Sequence, residues 1–133
     1  MIPLFDDGRV LLERQFRYPH GRDFIEIPAG KLEPGEPHLE SAQRELLEET
    51  GYTAAEWKRL GAIHPAIAYT DETIHLFLAT KLAFTAQKLD AGEFLETLIV
   101  ALPEALRMVR DGEITDAKTM CTLLYAGAFV FGM

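Results

Sequence analysis

The chain has 133 residues, 48% of them hydrophobic and 26% charged, which suits one soluble globular domain over 1–133. Its formal net charge of −8 repels nucleic-acid backbones and anionic membranes, so neither is an expected partner. The same field repels a free phosphate ester, and a protein of this charge that handled phosphates would need cations at the site.

In chain order, IPLF, DDG and RVLLERQF (2–16) read as strand, turn and strand, because Asp-Gly is a strong hairpin signal. RDFIEIP (22–28) alternates polar and apolar residues and reads as another strand. AGKLEPGEP (29–37) is rich in turn residues, and a helix follows over 38–50. AEWKRLGAIH (55–64) and ETIHLFLATKL (72–82) predict strands, TAQKLDAGE (85–93) a polar loop, and FLETLIVAL (94–102) a further strand. PEALRMVRDG (103–112) opens with Pro and closes with Gly, a helix signature. TDAKTMCTLLYAGAFVF (115–131) is the last helix, capped by Thr115 or Asp116. Strands with three interspersed helices predict an α/β (α+β) fold, a mixed β-sheet sandwiched between α-helices.

Met1 is followed by strand-like sequence without a basic or long apolar leader, so no signal peptide is expected. TMCTLLYAGAFVFGM (119–133) is too short to span a bilayer and reads as a buried or dimer-facing helix. The one cysteine, Cys121, lies in that apolar pattern and reads as a buried structural thiol. A lone cysteine fits a reducing cytoplasm.

The helix over 38–50 is unusual. Glu45, Glu48 and Glu49 crowd its last two turns, and Gly51 closes it. The C-terminal end of a helix carries partial negative charge, so each acid there costs roughly 0.3–1 kcal/mol when exposed. Glu45 and Glu49, four apart, also repel. Leu39, Ala42 and Leu46 share the face expected to pack on the sheet. Arg44 can reach Glu48 at i+4 or Glu40 at i−4 and hold the acids in place. Two readings remain open on spacing alone: a solvated charged face, or carboxylates gathered for divalent cations.

The wider stretch GKLEPGEPHLESAQRELLEETGY (30–52) has Gly30, Glu36 and then Arg44-Glu45-Leu46-Leu47-Glu48-Glu49-Thr50-Gly51 at fixed spacing. This resembles the signature box of the Nudix hydrolases. Every fixed position matches, and Tyr52 stands where an aliphatic residue is more usual. The resemblance implies the Nudix fold and cleavage of a nucleoside diphosphate linked to another moiety. It implies Mg²⁺, or Mn²⁺ as a substitute, bound by Glu45, Glu49 and often Glu48, with the backbone carbonyl of Ala29 as a further ligand and Glu36 orienting the box. Gly30 and Gly35 would let the loop turn before the helix. Glu48 and Arg44 fall among the catalytic groups.

ERQFRYPHGRDFIEIPAGKLEPGE (13–36), DETIHLFLATKL (71–82) and DGEITDAKT (111–119) resemble the ADP-ribose pyrophosphatases of that family. By this resemblance the substrate is a nucleoside diphosphate sugar, and Arg17 contacts its phosphates with Glu26 beside it. Tyr69, Phe16 or Tyr18 would stack on adenine. A glutamate of the LDAGEFLE loop, Glu93 first and Glu96 second, would position or deprotonate the attacking water. A homodimer is implied as well. Two features depart from the subfamily. HPAIAYTDE (64–72) carries Ile67 and Ala68 where Pro-Gly is usual, and residue 1 stands where members already have a region of strands. A different nucleotide substrate, or a non-catalytic nucleotide-sensing module, are the alternatives. Such modules tend to lose box carboxylates, whereas Glu45, Glu48 and Glu49 are all present here. No P-loop, dinucleotide fingerprint, nucleophile elbow, zinc spacing or EF-hand pattern occurs.

Overall fold

The computed structural model describes residues 1–30, 34–86 and 95–132. Its elements are β1 (Ile2–Pro3), β2 (Arg9–Arg17), β3 (Arg22–Glu26), α1 (His38–Thr50), β4 (Tyr52–Ile63), β5 (Ile74–Phe84), β6 (Leu95–Ala101), α2 (Leu102–Arg110) and α3 (Ala117–Tyr125). A π-helical turn, Ala126–Val130, follows α3 directly. The strands form two three-stranded sheets, β1-β5-β4 and β3-β2-β6. The β1·β5 pair is parallel and the rest are antiparallel, so the fold is mixed.

β2 sits at the centre because both of its faces are apolar. Val10 and Leu12 point into one core with Ile27, Leu102, Met108 and Leu123. Leu11 points the other way, into a second core with Leu46, Phe77 and Ala79. The first core is roofed by α2 and α3 and the second by α1, which is the expected sandwich. Leu46 is fully buried, worth about 1.5–3 kcal/mol over leaving it exposed. It anchors α1 with Ala42 beside it. Leu39, assigned to the same face, is 39% exposed instead.

Several boundaries moved. The expected hairpin at 2–16 is a single bridge, Leu4↔Val10, because β1 pairs with β5 through Ile2↔Leu78 and Pro3↔Ala79. Burying Ile2 completely outweighs extending a two-strand ribbon, which is marginal by itself. β4 starts at Tyr52, immediately after Gly51. Gly51 adopts φ 79° and donates its N–H to the Leu47 carbonyl, the left-handed ending expected of it. Asp116 caps α3, accepting from the Thr119 N–H at 3.2 Å. Cys121 is exposed, contrary to expectation. Thr119, Thr122 and Leu123 take the inner face of α3, and the helical period turns residue 121 outward. Among the described residues, no helix is long and apolar enough to cross a membrane.

Candidate active site

The acids of α1 gather where the helix passes over β2 and the Ala29–Gly30 segment. Glu13 follows Leu11 along β2, and the strand's period of two points it to the same face, toward α1. Its carboxylate is 1% exposed and meets that of Glu49. Glu49 also receives the backbone N–H of Ala29. Burial, with Glu13 and Glu45 close by, pushes Glu49 up to about 10, and burial pushes Glu13 up to about 7. In the metal-free protein the pair therefore shares a proton at neutral pH. Among the described residues, Oε2 of Glu13 has no hydrogen-bond partner.

Glu45 lies over Gly30. A Cβ at that position would overlap the Glu45 side chain, so glycine here is a matter of space. Gly35, by contrast, adopts φ 75° and does supply the turn. Burial pushes the Glu45 carboxyl up, against the pull of Arg44. Arg44 is the hub of the box. Its Nη1 lies 2.8 Å from Glu45 and 3.0 Å from Glu48, and its Nε and Nη2 donate to Glu36 at 2.9 and 3.0 Å. The reach to Glu48 matches the i+4 expectation. The bidentate fork goes to Glu36, which ties the loop before α1 onto the helix.

These residues fit a divalent cation. Carboxylate oxygens are hard donors, and here they are pressed together in a place poor in water, where a cation would relieve both repulsion and burial. Glu45, Glu49 and the Ala29 backbone are what the fold brings together. Glu48 is turned toward Arg44 and is half-exposed. Among the described residues, no three His, Cys, Asp or Glu side chains already converge as a ligand set.

A cavity of about 240 Å³ opens beside this cluster, lined by Ala29, Gly30, Ser41, Glu45, His75 and Lys118 among others. A second, of about 470 Å³, is lined by Arg17, His20, Arg22, Phe24, Glu26 and Lys118 among others. Lys118 borders both. Arg17 donates to Glu26 through Nε at 2.8 Å and Nη2 at 2.7 Å, and Lys118 Nζ donates to Glu26 at 2.8 Å and to Asp116 at 2.9 Å. Glu26 is 2% exposed. Burial pushes its carboxyl up, but Arg17 and Lys118 outweigh that and hold it below the usual range. Burial likewise pulls the Lys118 ammonium down, and Glu26 with Asp116 carries it above its ordinary value. Arg17, Glu26 and Lys118 stay charged at neutral pH.

The remaining assigned residues are dispersed. Glu96 pairs with Arg14 at 3.3 Å, on the face of β2 opposite to Glu13, so it does not join the carboxylates. Tyr69 is 92% exposed in the turn before β5 and does not line the cavity. Glu93 lies outside the described residues. Glu13, Lys118 and His75 were missed. Glu13 was the most legible of them, since strand alternation puts it on the buried side with Leu11. Lys118 and His75 carried no local signal.

The comparisons with known proteins agree. The model of the NUDIX domain matches residues 1–123. The chain is 42% identical over 127 residues to an ADP-ribose pyrophosphatase of Bacillus subtilis (strain 168), covering 94% of this chain and 69% of that protein. It is 35% identical over 127 residues to a methanol dehydrogenase activator of Bacillus methanolicus, with the same coverage. In fold it resembles a solved structure of an ADP compounds hydrolase, with a TM-score of 0.87 at 22% identity, covering 98% of this chain and 71% of that one. A signature box folded around buried carboxylates, carried on this architecture, makes the chain a member of the Nudix hydrolase family.

Proposed function

We propose that the protein is a metal-dependent pyrophosphatase that hydrolyses ADP-ribose, or a related nucleoside diphosphate sugar, to AMP and a sugar phosphate. The observation that carries this reading is the Glu13–Glu49 pair with Glu45 beside it, buried next to a cavity that adjoins a basic one. Carboxyls for a metal beside a cavity lined by Arg17, Arg22 and Lys118 suit a diphosphate bound through that metal. The kinship to an ADP-ribose pyrophosphatase supports the choice of substrate.

Glu45, Glu49 and the Ala29 carbonyl would hold Mg²⁺, with Mn²⁺ as a substitute, and Glu48 would add a carboxylate if it left Arg44. The bound cation supplies Lewis acidity and lowers the pKa of water at the reacting phosphorus. The chain's own residues do the rest. Glu49 and Glu13 would release the proton they share to solvent as a cation took its place. Arg44 fixes the box through Glu36, and Arg17 and Lys118 place positive charge against the phosphates. Water adds to one phosphorus and the P–O bond of the diphosphate bridge breaks, leaving AMP and ribose 5-phosphate from ADP-ribose. Glu93 is the proposed base, and Tyr69 the proposed base-stacking residue. The exposed Leu124, Phe129 and Phe131 support a homodimer, and the cytoplasm is the proposed compartment.

The test is product release from ADP-ribose and a panel of other nucleoside diphosphate derivatives, with and without Mg²⁺. Metal-dependent AMP formation from ADP-ribose is the expected result. Preference for another member of the panel would move the substrate. Turnover of none would favour a nucleotide-sensing module. Glu93→Gln is expected to lower kcat more than it raises KM; equal rates would remove Glu93 as the base.

A further inference from the structure

β4 contains a bulge. Its pairing with β5 runs Arg59↔Phe77 and then Gly61↔Leu76, leaving Leu60 as the extra residue. The Tyr125 hydroxyl of α3 donates to the Leu60 carbonyl at 3.0 Å, which fixes the bulge from the far side. Bulges re-aim side chains, and this one sets Arg59 diagonally against His75. Arg59 Nη2 lies 3.3 Å from Nδ1 of His75. A guanidinium only donates, so Nδ1 accepts and the ring proton sits on Nε2.

His38, the first residue of α1, stacks on the same ring with centroids 3.6 Å apart and planes at 28°. Two imidazoles this close resist carrying charge together. The groups facing His75 are His38 from α1, Arg59 from β4 and His64 just beyond β4. Burial and these three neighbours all pull the His75 ring below its ordinary pKa. Glu72, on the segment before β5, lines the same cavity as His38, His75 and Glu45.

We propose that His75 is a specificity-determining residue, a neutral imidazole clamped by Arg59 and His38 that donates from Nε2 to a sugar oxygen of the substrate. The inference rests on the pyrophosphatase reading and extends it to the sugar. With Nδ1 committed to Arg59, Nε2 is the ring nitrogen left for the cavity. An uncharged donor there suits an uncharged acceptor such as a hydroxyl or ring oxygen. The phosphates have cations of their own in Arg17 and Lys118.

The experiment compares ADP-ribose as substrate with ADP methyl ester, which keeps the adenosine ribose but lacks the distal sugar, as competitive inhibitor. His75→Ala is expected to raise KM for ADP-ribose about tenfold with kcat within about threefold, and to leave Ki for the methyl ester within about twofold. His75→Gln, which restores a donor, should recover most of the loss. Nitrogen-15 NMR of the wild type should find the proton on Nε2, and Arg59→Gln should raise the His75 pKa. A KM change under about twofold, equal losses for both ligands, or a proton on Nδ1 would overturn the proposal. The NMR result decides the matter even if the alanine variant does not fold. If the wild type hydrolyses no nucleoside diphosphate sugar, the proposed function fails and this inference falls with it. If it does and His75→Ala matches wild type, only this inference fails.

Discussion

Two glutamates beside β2, Glu26 buried and Glu49 half-buried, behave in opposite ways. Glu26 is held by Arg17 and Lys118, and its carboxyl titrates below the usual range. Glu49 faces Glu13 and Glu45, and its carboxyl is pushed up to about 10. Burial pushes both carboxyls up, so it does not separate them. What separates them is whether the fold supplies the opposite charge. Around Glu26 the charges are matched and the cluster can hold β3 to α3. Around Glu49 carboxyl faces carboxyl, held together by a shared proton, an arrangement that makes sense when a cation arrives from solution to take the proton's place.

The sharpest way to test that contrast is Glu49→Gln. It should lower kcat by about a thousandfold by removing a metal-binding carboxylate, while thermal stability holds or rises because folding no longer has to protonate the Glu49 carboxyl. A variant that unfolds easily yet turns over normally would reverse the roles assigned to the two sites. Glu26→Gln should do the opposite. It leaves the half-exposed Arg17 without its acid while Lys118 keeps Asp116, and should cost about 1–3 kcal/mol in urea unfolding, with a rise in KM if Arg17 loses its aim.

The pH response should also divide. The folded Glu26 carboxyl lies below its unfolded value, so its contribution is present above the unfolded carboxylate pKa and is lost as acid protonates the folded form. The folded Glu49 carboxyl lies above its unfolded value, so its contribution is full below the unfolded pKa and is lost as pH rises toward about 10. Metal-free protein should therefore lose stability from mildly acidic to alkaline pH, and Mg²⁺ should stabilise it more at pH 8 than at pH 5. Denaturation curves at both pH values, with and without Mg²⁺, check this; equal stabilisation would detach the cation from these carboxylates. The smallest effect is expected for Glu96→Gln. It breaks an exposed pair with Arg14, worth under about 1 kcal/mol, and kcat should stay within about threefold. A large fall in kcat would bring Glu96 back as a catalytic group.

Much was written in local sequence. Strand alternation, the Pro and Gly at helix ends and the Asp116 cap located nearly every element, because each depends on neighbours a few residues away. The box from Gly30 to Gly51 located the acids for the same reason, since their spacing is set by one helix and the loop before it. Tertiary structure decided what those local patterns meet. β1 left its hairpin for β5, Cys121 turned outward while its neighbours went in, and Arg44 gave its fork to Glu36. Glu13, Lys118 and His75 reached the site from three separate elements. Their positions follow from how sheets and helices pack, where the free energy lies in buried area and paired charge between residues remote in the chain, and no spacing rule along a single segment encodes that.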